Sequence, residues 1–347
     1  MFSVIKGLGL LVLTLILFSV FSLKVKKGDK AMSGLAGAAV ATFLVEAVHK
    51  YISGDFLGFD FLGEVGLSSG SMGGVIAVIL VGLNMGVNPI YAAVAGAAMS
   101  GLGILPGFIA GYTIGLLGPH LERVLPKGLD IILGALLIAP LARVIGVVST
   151  PLVDSTLLSI GEMIQVAATQ SPILMGFFLG GIMKIMCTSP LSSMALTAML
   201  GLQGLAMGIA SIASFAGAFT NGIVFKRLKL GEKGSTLAVM LEPLTQADII
   251  TKNPLPIYIS DFIGGGLGGV VAAYLGIVNN APGTASPIPG MLAPFGFNAP
   301  STVILALTLA AVGGIIGGYV GTYIYITYRK LKNIKANSSK NNDLVLE

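Results

Sequence analysis

The stretch "LEPLTQADIITKNPLPIYISDFIGGGLGGVVAAYLGI" (Leu241–Ile277) carries two opposed signals. From Ile257 to Val278 it is an apolar run, long enough at about 1.5 Å per residue to cross the roughly 30 Å hydrocarbon core of a bilayer. Ahead of that run stand Glu242, Asp248, Lys252 and the prolines 243, 254 and 256, charges and helix-breakers in close succession. In a water-soluble protein this would be an ordinary surface loop. In a membrane protein it interrupts the helices, and non-helical backbone at membrane depth persists only where protein or a water-filled cavity satisfies its polar groups. The rest of the chain decides which solvent applies.

The chain has 347 residues, of which 54% are hydrophobic, with only 20 Lys and Arg and 15 Asp and Glu; its mean hydropathy is +0.93. That is too little charge to coat a soluble protein of this length, and the apolar runs exceed ordinary core-helix length. The 49 glycines fit membrane helices that approach closely through small faces, as in "GGGLGG" (Gly264–Gly269) and "GGIIGG" (Gly313–Gly318). Cys187, alone and in apolar company, reads as a packed thiol. His49 and His120 lack metal-ligand spacing, so neither a metal nor a cofactor is expected. The net charge of +5 sits in loops and at the tail, which argues for a lipid bilayer rather than nucleic acid as the partner of the basic residues.

Val4–Leu23 has no small-residue cleavage site and precedes "KVKKGDK", so it reads as a first membrane helix with Lys24–Lys30 inside and the N-terminus outside. Further apolar segments are Ala31–Val48, Gly73–Met85, Ile90–Leu117, Leu129–Val148, Ile173–Met186, Ser193–Val224, Ile257–Val278 and Thr302–Thr327. The expectation is an all-α polytopic membrane protein with roughly 8–10 transmembrane helices, counted at about 20 residues each. It would form one transmembrane domain over residues 1–332, followed by a polar, disordered cytoplasmic tail over 333–347; "KRLKLGEK" (Lys226–Lys233) is also placed inside. Besides the opening stretch, "FLGFDFLGEVGLSSGSMGG" (Phe56–Gly74) and "TASPIPGMLAPFGFNAP" (Thr284–Pro300) look like broken or re-entrant segments of the kind transporters place around a midplane site; interfacial loops are the other reading. A faint Gly, Asn, Pro similarity between two loops is too weak for an internal repeat.

Ionisable residues in apolar company are Glu46, Asp154, Glu162, Lys184, Glu242, Asp248 and Asp261. Glu46 beside His49 and Lys50 fits a helix end, and Asp154 and Glu162 a surface. Lys184 lies deep in "ILMGFFLGGIMKIM" with no acid nearby in sequence, so it needs either a distant partner, Glu242 or Asp261, or a route to the interface. Glu242 is singled out. It ends "TLAVML" and precedes Pro243, which disfavours helical geometry at Glu242 and presents its carboxylate at a chain break. There it can accept hydroxyls of a sugar or other polyol, or cap a helix start. Asp248, Asn253 and Asp261 add polar groups. No nucleophile with base and orienter, phosphate loop or dinucleotide fingerprint is present, which argues against an ATP-driven pump.

These residues resemble the membrane subunit, enzyme IIC, of bacterial phosphoenolpyruvate-dependent sugar phosphotransferase systems. Glu242-Pro243 matches that family's acidic residue after an apolar run, Asp248 with Asn253-Pro254 its polar, proline-containing segment, and Gly264–Gly269 its glycine-rich helix. The whole chain is also similar to a compact branch that includes perfringolysin-regulator-like membrane proteins. The resemblance implies a helical bundle with re-entrant hairpins, a homodimer, a multi-pass place in the cell membrane, and inward transport of a sugar-like solute. The solute would be contacted by Glu242, Pro243, Asp248, Asn253 and Asp261. It further implies phosphorylation by separate cytoplasmic IIA and IIB phosphocarrier proteins, with no phosphorylated residue in this chain. The chain departs from the pattern in one respect: "SPIPGMLAPFG" lacks the histidine that related transporters often place there. A phosphorylation-independent transporter and a membrane sensor are the alternatives.

Overall fold

The computed structural model describes residues 2–189 and 193–343, and among these every regular element is helical. The order is α1 (Phe2–Lys24), α2 (Gly28–Ala39), α3 (Asp60–Ser71), α4 (Gly73–Asn84), α5 (Pro89–Ala98), α6 (Ile104–Val124), α7 (Asp130–Val153) and α8 (Ser159–Gln170). Then come α9 (Pro172–Thr188), α10 (Ser193–Met199), α11 (Gly204–Leu228), α12 (Lys233–Leu241), α13 (Ala247–Lys252), α14 (Pro254–Tyr274), α15 (Pro287–Leu292) and α16 (Pro300–Asp343). Beyond α2 the helix runs on to Asp55, with Val40–Leu44 and Ala47–Phe56 wound as π-helix.

Seven helices among the described residues are long and apolar enough to cross a bilayer, or eight if α3 and α4, bent by 60° at their junction, make one span. That is an all-α polytopic membrane protein, with one span fewer than the expected 8–10 or at the lower end of that range if the bent pair is one span, for local reasons. The expected span Ile90–Leu117 is divided: α5 stops at Ala98, and Gly101, with φ +77°, turns the chain into α6. Ser193–Val224 is divided at Gly201 and Gly204, with φ +54° and +59°. The tail expected to leave the helix after Lys332 continues in α16 to Asp343, because no glycine or proline follows Gly321 to stop it; residues 344–347 lie outside the described residues.

Two packed halves build the body. In the first, α2, α4 and α6 bury Met32, Leu35, Val81, Met85 and Leu105, while α5, α6 and α7 enclose Tyr91, Ile114 and Ile138. In the second, α14 packs against α9, α11 and α16. Its glycine run makes this possible: a Cβ on Gly269 would fall 2.0 Å from the Gly176 carbonyl oxygen of α9, and one on Gly317 of α16 2.3 Å from the Gly264 Cα. Outward faces are apolar, with Leu136 and Val148 of α7 68% and 62% exposed, as lipid contact requires. α10 bridges the halves by packing against α2 and α9.

Candidate functional site

Pro243 acts as expected from its chemistry. Helix α12 stops at Leu241, and Glu242 takes an extended backbone (φ −147°, ψ 100°) before a single 3₁₀ turn over Pro243–Gln246. The half-buried carboxylate has two partners. Oε1 accepts from the Leu244 amide at 3.4 Å, which caps that turn, and Oε2 accepts from the Ser286 hydroxyl at 3.3 Å. The capping contact is therefore present, and the second contact is to the protein's own Ser286.

Ser286 belongs to the stretch whose placement the sequence left open between loop and re-entrant segment. Residues 283–287 are buried, and their polar groups are satisfied from inside the protein. Asn279 Nδ2 donates to Ser211 Oγ (2.8 Å) and to Thr284 Oγ1 (2.9 Å), its Oδ1 accepts from the Ala281 amide (2.9 Å), and the Gly283 amide donates to Thr197 Oγ1 (3.2 Å). Ser193 donates to the Ala285 carbonyl. Thus α10, α11, the break after α12 and the segment leading into α15 converge on one polar region in the second half.

A second polar region lies across α9, α11 and α14. Lys184 and Asp261 are both fully buried, with Nζ 3.9 Å from Oδ1. Of the two partners open to Lys184, the structure selects Asp261. The gap is too long for a direct hydrogen bond, and Asn221 fills it. With its amide oriented to suit its neighbours, Asn221 donates to Asp261 Oδ1 at 3.0 Å and accepts from Lys184 Nζ at 3.1 Å. Asp261 Oδ2 has no hydrogen-bond partner. The lysine stem runs in a slot made by two glycines: a Cβ on Gly217 would fall 1.9 Å from its Cε, and one on Gly265 2.3 Å from its Cβ. Cys187, one turn along α9 from Lys184, hydrogen-bonds Ser193, whose hydroxyl also meets the Ala285 carbonyl, so the end of α9 touches both polar regions.

The sequence-derived site residues therefore divide. Glu242 and Pro243 sit at the break facing Ser286, and Asp261 belongs to the Lys184 network. Asp248 is exposed in the first turn of α13. Asn253 joins α13 to α14 and turns its Nδ2 back to the Ile249 carbonyl at 3.0 Å. Sequence reasoning missed Ser286, Asn279 and Asn221, uncharged groups that no charge survey finds; "VNNAPGTAS" (Val278–Ser286), dense in Asn, Thr and Ser inside an apolar half, was the available signal. It also missed Arg143 on α7, whose Nη1 donates to the carbonyls of Ala98 (3.2 Å) and Ser100 (2.8 Å) at the turn between α5 and α6. Among the described residues, no group of three or more His, Cys, Asp or Glu side chains is arranged to hold a metal.

The family description "Phosphotransferase system, EIIC" matches residues 29–341, nearly the whole chain. No individually curated protein matches it. The match is to the family and selects no branch within it. A multi-pass helical body, a proline-broken carboxylate segment and a family match over this length lead to one conclusion: the chain belongs to the EIIC family, the membrane transport subunits of phosphotransferase systems.

Proposed function

We propose that the chain carries a sugar-like solute across the cell membrane and that Glu242 is its principal contact. The observation behind this reading is the Glu242 carboxylate, half-buried at a helix break and held by Ser286 of the buried segment before α15. Such a carboxylate exchanges a weak 3.3 Å hydroxyl contact for the hydroxyls of a polyol at little cost, because the Ser286 hydroxyl mimics the ligand group it would meet. Pro243 keeps the carboxylate out of the helix. Asp248 and Asn253 would contact solute from the cytoplasmic end, and Asp261 would act through the Lys184 pair. Phosphorylation is assigned to separate cytoplasmic IIA and IIB proteins, as membership of the EIIC family implies. The basic ends at Lys226–Lys233 and after Tyr328 support a cytoplasmic C-terminus through the excess of Lys and Arg on cytoplasmic loops. A homodimer is the proposed assembly.

The test is uptake of a panel of labelled sugars by cells expressing the chain, with Glu242→Gln alongside. Loss of a charge-assisted hydrogen bond, about 1.5–3 kcal/mol, predicts a ten- to hundredfold weaker apparent affinity at unchanged protein level. Unchanged uptake in Glu242→Gln would remove Glu242 from the site. Uptake that persists in cells lacking the general phosphotransfer proteins would remove the coupling to phosphorylation.

A further inference from the structure

A cleft of about 290 Å³ opens where the end of α16 passes the start of α14, lined by Leu255, Tyr325, Tyr328, Arg329 and Lys332. Its lining combines two cations and two phenols with one exposed leucine, and contains no acid. The depth of the cleft follows from helix length. From Pro300, about 20–25 residues at 1.5 Å each exhaust the hydrocarbon core, so Tyr325–Lys332 lie at headgroup level. Leu255 stands in the first turn of α14, where that span begins.

Another basic residue nearby is spent on structure. Arg227 donates to the Tyr319 carbonyl (2.9 Å) and to Thr322 Oγ1 (2.7 Å), and its guanidinium stacks 5.0 Å from the Tyr319 ring. Arg329 and Lys332 have no such partner among the described residues. The first turn of α14, which contributes Leu255 to the cleft, is also without a side-chain cap, because Asn253 turns its side chain back to Ile249.

We propose that this cleft binds the phosphate headgroup of an anionic phospholipid. Arg329 and Lys332 meet the phosphate, Tyr325 and Tyr328 donate phenol hydroxyls at the interface, and the acyl chains descend past Leu255 along the apolar face of α16. A basic pocket between membrane helices at headgroup depth has the chemistry of such a site, and the position of Leu255 at the start of a membrane span favours a lipid over a soluble phosphate.

The experiment is native mass spectrometry of the full-length protein released from micelles containing phosphatidylglycerol and phosphatidylcholine in equal amounts. Phosphatidylglycerol should be retained preferentially. Arg329→Gln with Lys332→Gln should lower that retention about thirty-fold, about five-fold per cation. Exchanging the charges, Arg329→Lys with Lys332→Arg, should largely preserve it. Lys226→Gln with Lys233→Gln, a charge-matched pair of exposed residues outside the lining of the cleft, should leave it unchanged. Three results would each overturn the proposal: undiminished retention in the double glutamine variant, an equal loss in the Lys226/Lys233 control, or displacement of the lipid by excess inorganic phosphate, which would make this a soluble-phosphate site.

Discussion

Replacing Lys184 by methionine tests the buried network most directly. Methionine keeps the stem in the slot between Gly217 and Gly265 and removes only the charge. Asp261 is then a fully buried carboxylate left with only uncharged donors, the Asn221 amide and the Thr188 hydroxyl. Removing one member of a buried ion pair costs about 3–5 kcal/mol, because the survivor keeps its desolvation penalty without its partner. Asp261→Leu should cost a similar amount for the mirror reason. The double variant should recover most of the loss, since an apolar pair of comparable volume carries no desolvation penalty. What remains is the Asn221 amide stripped of both partners, worth about 1–3 kcal/mol. The double variant should therefore fall short of the sum of the singles by at least about 3 kcal/mol. The chain has no tryptophan, so unfolding is best followed by far-ultraviolet circular dichroism in mixed micelles of rising SDS fraction. Single substitutions each below about 1 kcal/mol, adding without coupling, would mean that water reaches the pair and that the network does not hold α9, α11 and α14 together.

Three further outcomes follow from the same packing. Gly217→Ala places a methyl group against the Lys184 stem and should destabilise by about 1–3 kcal/mol in the same assay; a neutral result would show that the stem can move aside. Arg143→Gln removes the donor that holds the Ala98 and Ser100 carbonyls, so hydrogen exchange at residues 99–103 should accelerate while α14 stays protected; unchanged exchange would show that the turn holds without it. Pro243→Ala lets α12 continue into Glu242, and solute affinity should fall although the carboxylate remains; affinity equal to that of the unmodified chain would separate the chain break from binding.

Much of this arrangement was legible residue by residue. Twenty-residue apolar windows identify the membrane-crossing class of the chain, though not every break within it, and the Pro243 ring dictates the extended conformation of Glu242 without reference to anything distant. Lys184 announced a need for a partner because no acid stands near it in the chain. The contact between Glu242 and Ser286 was not legible: the two are 44 residues apart, and nothing in either segment encodes the turn that brings them together. Asn221 was hidden for another reason. An uncharged residue within an apolar helix looks like any tolerated polar position until its neighbours are known.

Sequence alone determined the solvent, the helical class and the break at Pro243, because transfer to lipid and proline geometry act on the chain locally, whereas the breaks at Gly101, Gly201 and Gly204 appeared only in the fold. Only the tertiary structure decided which helices meet. It chose Asp261 over Glu242 for Lys184, buried residues 283–287 inside the protein, and left Arg329 and Lys332 without partners among the described residues. Those outcomes depend on backbone approach, set by glycine facing glycine across α9, α14 and α16, and a side chain's partner follows from which backbones come that close.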